Sequence, residues 1–230
     1  MRRYPPPESR GAASSGGCLL KRSQAMANKT HWEEVYTQKR SDEVSWFLES
    51  ATMSLDLIHQ ISLKHSDRVI DVGGGASRLV DALLLEGFNQ LTVLDVSGAA
   101  LNAAQNRLGS QAVQITWLEA DITQYRLPDS SYQLWHDRAV FHFMTTPEQR
   151  AAYKSNLKAA LRCSGYAIIA TFAENGPQKC SGLPVQRYSV EALCGELGSE
   201  FVLLESCRES HKTPSGNIQE FIYCLFKYIC

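Results

Sequence analysis

The stretch from Arg68 to Asp95 constrains the fold most, because two short apolar runs flank a cluster of three glycines and a helical pattern. The runs Val69–Val72 and Leu91–Leu94 have the length and largely apolar character of buried strands. Apolar residues recur at helical spacing between the runs, at Leu79, Val80, Leu83 and Leu84. The stretch therefore predicts a strand–glycine turn–helix–strand unit, which binds a nucleotide-like ligand at the carboxyl ends of its parallel strands.

The residues around the glycine turn distinguish between two classes of ligand. Dinucleotide-binding folds use the pattern G-x-G-x-x-G, in which the third glycine lets the helix pack close to the strand. Here that slot is Arg78, and Asp71 lies where its carboxylate would repel a pyrophosphate. S-adenosylmethionine has no phosphate but carries an ammonium group and a cationic sulfur, so a nearby carboxylate favours its binding.

Asp71, Gly73 and Gly75 at this spacing resemble the first motif of the class I S-adenosylmethionine-dependent methyltransferases. That family usually has a third glycine where this chain has Ser77, a small residue that we expect to cap the following helix. The resemblance implies S-adenosyl-L-methionine as the cofactor, held in part by Asp71 and by the turn Gly73, Gly74 and Gly75. An ordinary glycine turn of an α/β protein is the alternative interpretation.

Two further acids follow later strands of the predicted sheet. Asp95 comes about twenty residues after Gly73, where a carboxylate accepts hydrogen bonds from ribose hydroxyls. Asp121 follows a third predicted strand, Val113–Leu118. The resemblance implies that Asp121 accepts from the adenine amino group, that Ile122 packs on the adenine ring, and that Val96 also contacts the cofactor. The alternative for Asp95 is a surface position beside a helix.

The amino-terminal part of the chain divides into two segments. Residues 1–25 are rich in proline, glycine and basic side chains, which predicts a disordered extension before a domain over residues 26–230. An organelle transit peptide is the alternative. Within the domain, Trp46 lies close in sequence to Trp32 and Tyr36. We expect these rings to cover the cofactor, where aromatic faces attract a sulfonium, although plain core packing fits them equally well.

The end of the fourth predicted strand, Tyr132–His136, is the expected acceptor side of the site. In the family that this chain resembles, this strand end faces the transferable methyl group, which makes Asp137, Arg138 and His142 the candidate catalytic residues. The alternative is a structural ion pair between Asp137 and Arg138 with His142 packed in a helix. The Asn-Pro-Pro-Tyr type signature of many amide and adenine methylators is absent.

The remaining patterns complete an α/β fold. Ser54, Ser97, Pro147 and Ser189 mark helix starts, Tyr166–Phe172 after Gly165 is the fifth strand, and Phe201–Cys207 and Ile218–Tyr228 form a terminal antiparallel hairpin. The predicted fold class is a doubly wound, mostly parallel seven-stranded sheet with helices on both faces and a C-terminal antiparallel hairpin. This Rossmann-like methyltransferase fold covers about residues 30–228.

Charge and composition give no reason to expect nucleic acid or a membrane as partner. The net charge is −1, which gives no electrostatic reason to expect nucleic acid, and no apolar run is long enough to span a membrane. The seven cysteines are scattered without C-x-x-C spacing, so we expect free thiols in a reducing, cytoplasmic location and no metal site. If residues 1–25 direct import, an organelle is the alternative location. The oligomeric state is left open.

The expected function is methyl transfer from S-adenosylmethionine to a nucleophilic acceptor, with a small molecule as the first choice. A protein lysine side chain is the alternative acceptor, because the amino-terminal segment and the Asp137–Arg138 position are also similar to those of some protein-lysine methylators. A NAD(P)-dependent oxidoreductase is less favoured, since Arg78 and Asp71 oppose it and a Tyr-x-x-x-Lys dyad is missing near the fourth strand. An inactive cofactor-binding domain is the remaining alternative.

Overall fold

The computed structural model describes residues 29–230, so the expected extension over residues 1–25 and its boundary lie outside the described part of the chain. The strands are β1 Val69–Val72, β2 Leu91–Asp95, β3 Ile115–Glu119, β4 Tyr132–Arg138, β5 Leu161–Phe172, β6 Lys179–Cys180, β7 Leu183–Pro184, β8 Phe201–Lys212 and β9 Ile218–Tyr228. The helices are α1 over residues 29–38, α2 Thr52–His59, α3 Leu79–Leu85, α4 Gly98–Leu108, α5 Pro147–Ala160 and α6 Val190–Leu197. Short 3-10 helices span Gly109–Gln114 and Phe141–Phe143.

Seven strands form one sheet in the order β3-β2-β1-β4-β5-β9-β8. Neighbouring strands from β3 to β5 run parallel, whereas β9 is antiparallel to both β5 and β8. The predicted strand–turn–helix–strand unit and the doubly wound sheet with its terminal hairpin are therefore confirmed. The strands β1 and β2 are buried along their whole length, as expected for central parallel strands covered on both faces.

The core lies on both faces of the sheet, because alternate side chains of each strand point to opposite sides. On one face, Ile70 and Trp135 pack with Tyr153 and Leu157 of α5. On the other face, residues of β1, β4 and β9 pack with helices α2, α3 and α4, through Val69, Leu134, Tyr223, Leu57, Leu83 and Leu101. Burial of large apolar side chains on each face contributes on the order of 2 kcal/mol per side chain, which holds the helices against the sheet.

Side-chain caps define several of the helix starts. Ser97 accepts the N–H of Ala100 at 3.1 Å, and Ser189 caps α6 in the same way, so both predicted caps are confirmed. The predicted cap at Ser77 is displaced by one residue. Arg78 occupies the N-cap position of α3, while the Ser77 hydroxyl accepts the N–H of Leu79 at 3.1 Å.

The predicted helix start at Ser54 is wrong. Helix α2 begins at Thr52, and Ser54 lies inside it with its hydroxyl buried. The pattern misleads because a serine within a helix has the same local signature as a capping serine, and its true partner is distant in sequence.

Four predicted strand boundaries also differ from the structure. The strand β3 begins at Ile115 because the preceding residues form a 3-10 turn. The strand β4 continues to Arg138, since it stays paired with both β1 and β5. The strand β5 begins before Gly165, which lies within it rather than at a turn, and β8 extends to Lys212.

One expectation about the cysteines is wrong. Cys163 and Cys230 form a disulfide, with their Cα atoms 5.4 Å apart. The scattered spacing hid this pair because the two residues are 67 positions apart in sequence and meet only in the folded sheet. The other described cysteines are free thiols: Cys180, Cys194, Cys207 and Cys224. Within residues 29–230, no helix combines the length and apolar character needed to cross a membrane.

Candidate active site

The candidate site is a cleft at the carboxyl ends of β1, β2 and β4, where the strand order reverses between β1 and β4. Crevices at such a reversal are the usual ligand sites of open α/β sheets. The main cleft adjoins a smaller inner cavity, and both are lined by Tyr36, Trp46, Gly73 and Arg138. Ser54, Asp71 and His136 line the inner cavity.

The glycine turn between β1 and α3 leaves no room for side chains. Gly73 has a positive φ of +70°, and an added Cβ there would lie 2.0 Å from a methyl carbon of Val140. An added Cβ at Gly75 would lie 2.5 Å from Oδ2 of Asp95. The turn therefore brings bare backbone against the ends of the neighbouring strands, which is the geometry that a tightly bound ligand requires.

Asp71 at the end of β1 is buried and only half satisfied. Its Oδ1 lies 2.7 Å from Nδ1 of His136, whose Nε2 lies 2.8 Å from the Ser54 hydroxyl. Its Oδ2 is buried without a hydrogen-bond partner among the described residues. A buried carboxylate oxygen without a donor is costly, so this atom marks a place where a ligand donor fits.

Asp95 at the end of β2 lines the main cleft and is 7% exposed. Its Oδ1 accepts the N–H of Ser97 at 2.8 Å. Burial, assisted by the neighbouring carboxylates of Asp71 and Glu33, raises the pKa of Asp95 to about 7, although the N–H of Ser97 opposes this rise. The site thus holds a hydrogen-bond acceptor whose charge is sensitive to its surroundings.

The third predicted acid, Asp121, also lines the main cleft, together with Val96 and Ile122. Asp121 lies two residues beyond the end of β3 rather than on the strand, and its Oδ1 accepts both the N–H and the hydroxyl of Thr123. Ile122 is buried. The structure therefore brings Asp95, Val96, Asp121, Ile122, Gly73 and Trp46 to one cleft, as expected for a shared ligand, with Asp71 and Gly74 in the adjoining inner cavity.

The three candidate catalytic residues do not share one surface. Asp137 is fully buried behind the cleft wall, where its carboxylate accepts the N–H groups of Val140 and Phe141 and the hydroxyl of Tyr153. Burial raises the pKa of Asp137 to about 7. Because β4 continues through Arg138, alternate residues point to opposite faces of the sheet, and of this pair only Arg138 reaches the cleft.

His142 is also fully buried. Its Nδ1 accepts the N–H of Phe172 at 3.4 Å, and burial lowers the pKa of His142 to about 3. The imidazole is therefore neutral near pH 7 and lies within the core rather than on the cleft surface.

Arg138 is the cationic side chain of the cleft wall, and several groups fix its guanidinium. Its Nε donates to the Tyr223 hydroxyl at 2.6 Å, and its Nη1 donates to the carbonyl of Trp46 at 2.9 Å. Glu209 lies 3.4 Å from Nη2, and the ring of Phe221 is stacked 4.5 Å below. Tyr223, Glu209 and Phe221 belong to β8 and β9, and no local sequence signal linked them to the site.

Aromatic side chains form one wall of the main cleft. We call Trp32, Tyr36, Trp46 and Phe143 the aromatic cluster. Trp32 contacts Trp46 and Phe143 edge to face, with ring centroids 5.3 Å and 5.2 Å apart, and the Trp46 indole donates to the Tyr36 hydroxyl at 2.9 Å. Cys180 completes this side of the cleft, and burial raises the pKa of its thiol to about 12.

The cleft has hydrogen-bond acceptor groups on one side and an apolar wall that excludes water on the other. The acids Asp71, Asp95 and Asp121 suit hydroxyl, amino and ammonium donors, and they disfavour phosphate. Within residues 29–230, no cluster of three or more histidine, cysteine or acidic side chains has the geometry to hold a metal ion.

The chain is similar to known methyltransferases in three comparisons. A family model described as "Methyltransferase domain" matches residues 69–165. The eEF1A lysine and N-terminal methyltransferase of Mus musculus is 23% identical over 136 residues, which are 59% of this chain and 19% of that protein. The chain therefore spans about a fifth of the length of the curated relative that it matches.

Solved structures share the fold over most of the chain. The 1,6-didemethyltoxoflavin-N1-methyltransferase of Burkholderia thailandensis, solved with 1,6-didemethyltoxoflavin and S-adenosylhomocysteine, has a TM-score of 0.65 and 17% identity, covering 98% of this chain and 94% of its own. A protein of echinomycin biosynthesis, where a disulfide bond is converted into a thioacetal group, has a TM-score of 0.70 and 16% identity, covering 87% and 93%.

Proposed function

Because the chain belongs to the class I S-adenosylmethionine-dependent methyltransferases, we propose that it transfers the methyl group of S-adenosylmethionine to a nucleophilic atom of a small, largely apolar acceptor. One observation carries this proposal: the carboxylates of Asp95 and Asp121 share a single cleft with the aromatic cluster. A cofactor site and an apolar acceptor site are thereby joined without an intervening wall.

The residues present fit the cofactor in chemical type. We assign Asp95 to the ribose hydroxyls, Asp121 and Ile122 to the adenine, and Asp71 with the glycine turn to the methionine end. In this assignment each carboxylate accepts hydrogen bonds from a donor group of the cofactor. When bound, S-adenosylmethionine supplies a methyl carbon on a sulfonium, which is electrophilic without further activation by the protein.

The remaining task of the chain is to orient the acceptor and to exclude water. The aromatic cluster provides faces that attract a cationic sulfonium and a surface that desolvates an apolar acceptor. Met144 and Val140 extend this surface. Arg138 provides one fixed positive charge in the wall.

The charge of the wall favours a neutral or anionic acceptor. The acids that line the two cavities within the described residues are Asp71, Asp95 and Asp121, and all three are assigned to the cofactor. Glu209 is already paired with Arg138. A protonated amine would therefore lie near the Arg138 guanidinium, and none of the carboxylates lining the two cavities would be left to stabilise its positive charge. A thiolate, phenolate or other oxyanion, in contrast, would be stabilised by Arg138.

A lysine side chain is the second candidate acceptor. The observation that favours it is the similarity to a relative named as an eEF1A lysine and N-terminal methyltransferase. A lysine would have to enter the cleft without its proton, and Asp137, the carboxylate nearest in sequence to Arg138, is buried behind the wall.

The proposal is tested in two steps. Calorimetry with S-adenosylhomocysteine and, in parallel, NADPH is expected to show binding of the first ligand alone. Labelled S-adenosylmethionine is then offered with pools of thiols, phenols, heteroaromatics and amines, and with purified eEF1A. Labelling of a small-molecule pool supports the first choice of acceptor, and labelling of eEF1A supports the second.

Asp95→Ala provides the site control for both steps. Loss of hydrogen bonds to a charged acceptor costs about 1.5–3 kcal/mol, so we expect affinity for S-adenosylhomocysteine to fall roughly 10- to 150-fold while the fold is retained. Unchanged affinity in this variant, or binding of NADPH by the wild type, would contradict the cofactor assignment.

A further inference from the structure

Three polar side chains from separate elements form a buried chain that ends beneath the glycine turn. Ser54 lies in α2, His136 in β4 and Asp71 in β1. The Ser54 hydroxyl is 2.8 Å from Nε2 of His136, and Nδ1 of His136 is 2.7 Å from Oδ1 of Asp71. The three residues are 1%, 2% and 4% exposed, so the chain is shielded from water along its length.

Both ring nitrogens of His136 are used, which fixes the orientation of the ring. The carboxylate of Asp71 requires a donor, so Nδ1 carries a proton and donates to Oδ1. In the neutral imidazole Nε2 then accepts the hydroxyl proton of Ser54. Because His136 is hydrogen-bonded at both nitrogens, Ser54 fixes the ring, and the ring in turn fixes the carboxylate of Asp71.

Asp71 is held by this chain through one oxygen and leaves the other available. Oδ2 has no hydrogen-bond partner within residues 29–230, and an added Cβ at Gly74 would lie 2.5 Å from it. Oδ2 therefore lies against the backbone of the turn that borders both cavities. Rotation of the carboxylate to another position would break the bond from His136, so the direction of Oδ2 is set by a residue that lies one strand away.

We propose that Ser54 and His136 are positioning residues that hold Asp71 so that Oδ2 receives the ammonium group at the amino-acid end of the bound cofactor. This inference rests on the proposed function and extends it to two residues that act through Asp71. The order Ser–His–Asp is also that of a nucleophilic triad. Ser54, however, is 1% exposed within α2, so its hydroxyl serves as a support rather than a nucleophile.

Two ligands separate this role from a general structural one. S-adenosylhomocysteine carries the amino-acid end, whereas 5′-methylthioadenosine has the same adenosine and thioether sulfur without it. His136→Leu removes both hydrogen bonds of the imidazole. We expect it to weaken S-adenosylhomocysteine about tenfold, which corresponds to about 1.4 kcal/mol, and to leave 5′-methylthioadenosine unchanged.

Further variants test the direction of the effect. His136→Asn keeps a donor near the position of Nδ1, so it is expected to recover most of the affinity for S-adenosylhomocysteine. In an Asp71→Asn background, His136→Leu is expected to cause no further loss, because its effect passes through the carboxylate. Tyr132→Phe is the matched control, since it removes another buried hydrogen bond from β4, to Thr92, and should change neither affinity.

The inference is overturned if His136→Leu lowers the affinity for both ligands equally, or for neither, while a cooperative thermal transition shows that the variant is folded. Ser54→Ala, a smaller change with an expected loss in the same direction, provides the measurement if His136→Leu does not fold. If the wild type binds neither ligand, the proposed function itself fails. If the wild type binds both ligands but the variants change the two affinities equally, only the positioning role of Ser54 and His136 fails.

Discussion

The carboxyl group of Asp95 makes the folding stability depend on pH. Its pKa of about 7 in the folded chain lies above the unfolded value of about 4. The folded state therefore binds the proton more readily, so this group favours folding at low pH, and its contribution is lost as the pH rises from about 4 through about 7. Asp137 acts in the same direction, with a pKa that burial also raises to about 7.

Asp95→Asn separates the effect of the buried charge on stability from the proposed role of Asp95 in cofactor binding. The amide can still accept the N–H of Ser97 but never ionises. We expect the variant to melt at a higher temperature than the wild type at about pH 8, with a smaller gain at about pH 5 and almost none at about pH 4. Its affinity for S-adenosylhomocysteine at about pH 8 should be roughly tenfold lower. Thermal denaturation and calorimetry across this range provide the test, and a variant without a stability gain at high pH would refute the buried-charge account.

Arg138 is expected to discriminate between acceptors by charge. Arg138→Gln removes the cation, and one lost charge-assisted hydrogen bond costs about 1.5–3 kcal/mol, or roughly 10- to 150-fold in kcat/KM for an anionic acceptor. The loss for a neutral acceptor should be much smaller. Tyr223→Phe, which deletes one partner of the guanidinium without changing its charge, is the matched control. Equal losses for both kinds of acceptor would show that the arginine supports only the wall.

The residues that could be predicted from sequence are those whose position follows from a strand end. Asp71 lies near the end of an apolar run, Asp95 and Asp121 come after such runs, and the carboxyl ends of parallel strands meet at one edge. The orientation of Asp137 could not be predicted, because a two-residue error in the end of β4 leaves open which face each side chain takes. The partners of Arg138 and His136 come from distant elements, so local patterns carry no sign of them.

At the scale of elements, the segment that holds α1 is attached to the sheet by side chains rather than by backbone pairing. Glu33 of α1 accepts the N–H of Gly98 at 2.6 Å and of Ala99 at 3.1 Å. These are the first N–H groups of α4, which lack partners within their own helix. The same segment is fixed at its other end by His211, whose Nε2 lies 2.8 Å from the carbonyl of Ser45. Trp32, Tyr36 and Trp46 of the aromatic cluster lie in this segment.

Removal of the Glu33 carboxylate tests the attachment. Loss of a helix cap costs about 0.5–2 kcal/mol, so we expect Glu33→Ala to lower the free energy of unfolding by that amount. The variant should also weaken S-adenosylhomocysteine, because α1 carries Trp32 and Tyr36 to the cleft. The neighbouring exposed residue gives the control, and Glu34→Ala should stay within about 0.5 kcal/mol of the wild type. Equal effects of the two changes, measured by denaturant unfolding and calorimetry, would contradict this role.

Capping signals had unequal predictive value among the helices. Ser97 and Ser189 precede their helices and cap them, whereas Ser54 lies in the third position of α2 and bonds to His136 instead. A cap is a local interaction, so it can be recognised from neighbouring residues. A hydroxyl that bonds to another strand cannot, because its partner is brought near only by folding.

At the scale of the whole molecule, the topology could be predicted because each apolar run is followed by a helix or a turn of recognisable length. Short crossover connections restrict how such units stack, and the reversal between β1 and β4 then places the cleft. The disulfide could not be predicted. Its two cysteines are 67 residues apart, and their meeting depends on the insertion of β9 beside β5.

The Cys163–Cys230 disulfide joins the start of β5 to the end of the chain, at the opposite end of the sheet from the carboxyl ends of the parallel strands. A cross-link over this separation contributes about 2–4 kcal/mol. We therefore expect Cys163→Ser to melt several degrees lower than the wild type, with unchanged affinity for S-adenosylhomocysteine. Cys194→Ser, which alters a free thiol, should melt close to the wild type.

The redox state of this pair also bears on where the chain works. Disulfides persist in oxidising compartments and are rare in the cytosol. The cross-link therefore favours an oxidising environment, whereas the expected cytoplasmic location is reducing. Alkylation of protein isolated from cells without reductant, followed by mass analysis, counts the protected cysteines. Protection of Cys163 and Cys230 together, with alkylation of Cys180, Cys194, Cys207 and Cys224 after unfolding, supports the cross-linked form. Alkylation of Cys163 and Cys230 as well would refute it, and a reductant should then leave the melting temperature of the wild type unchanged.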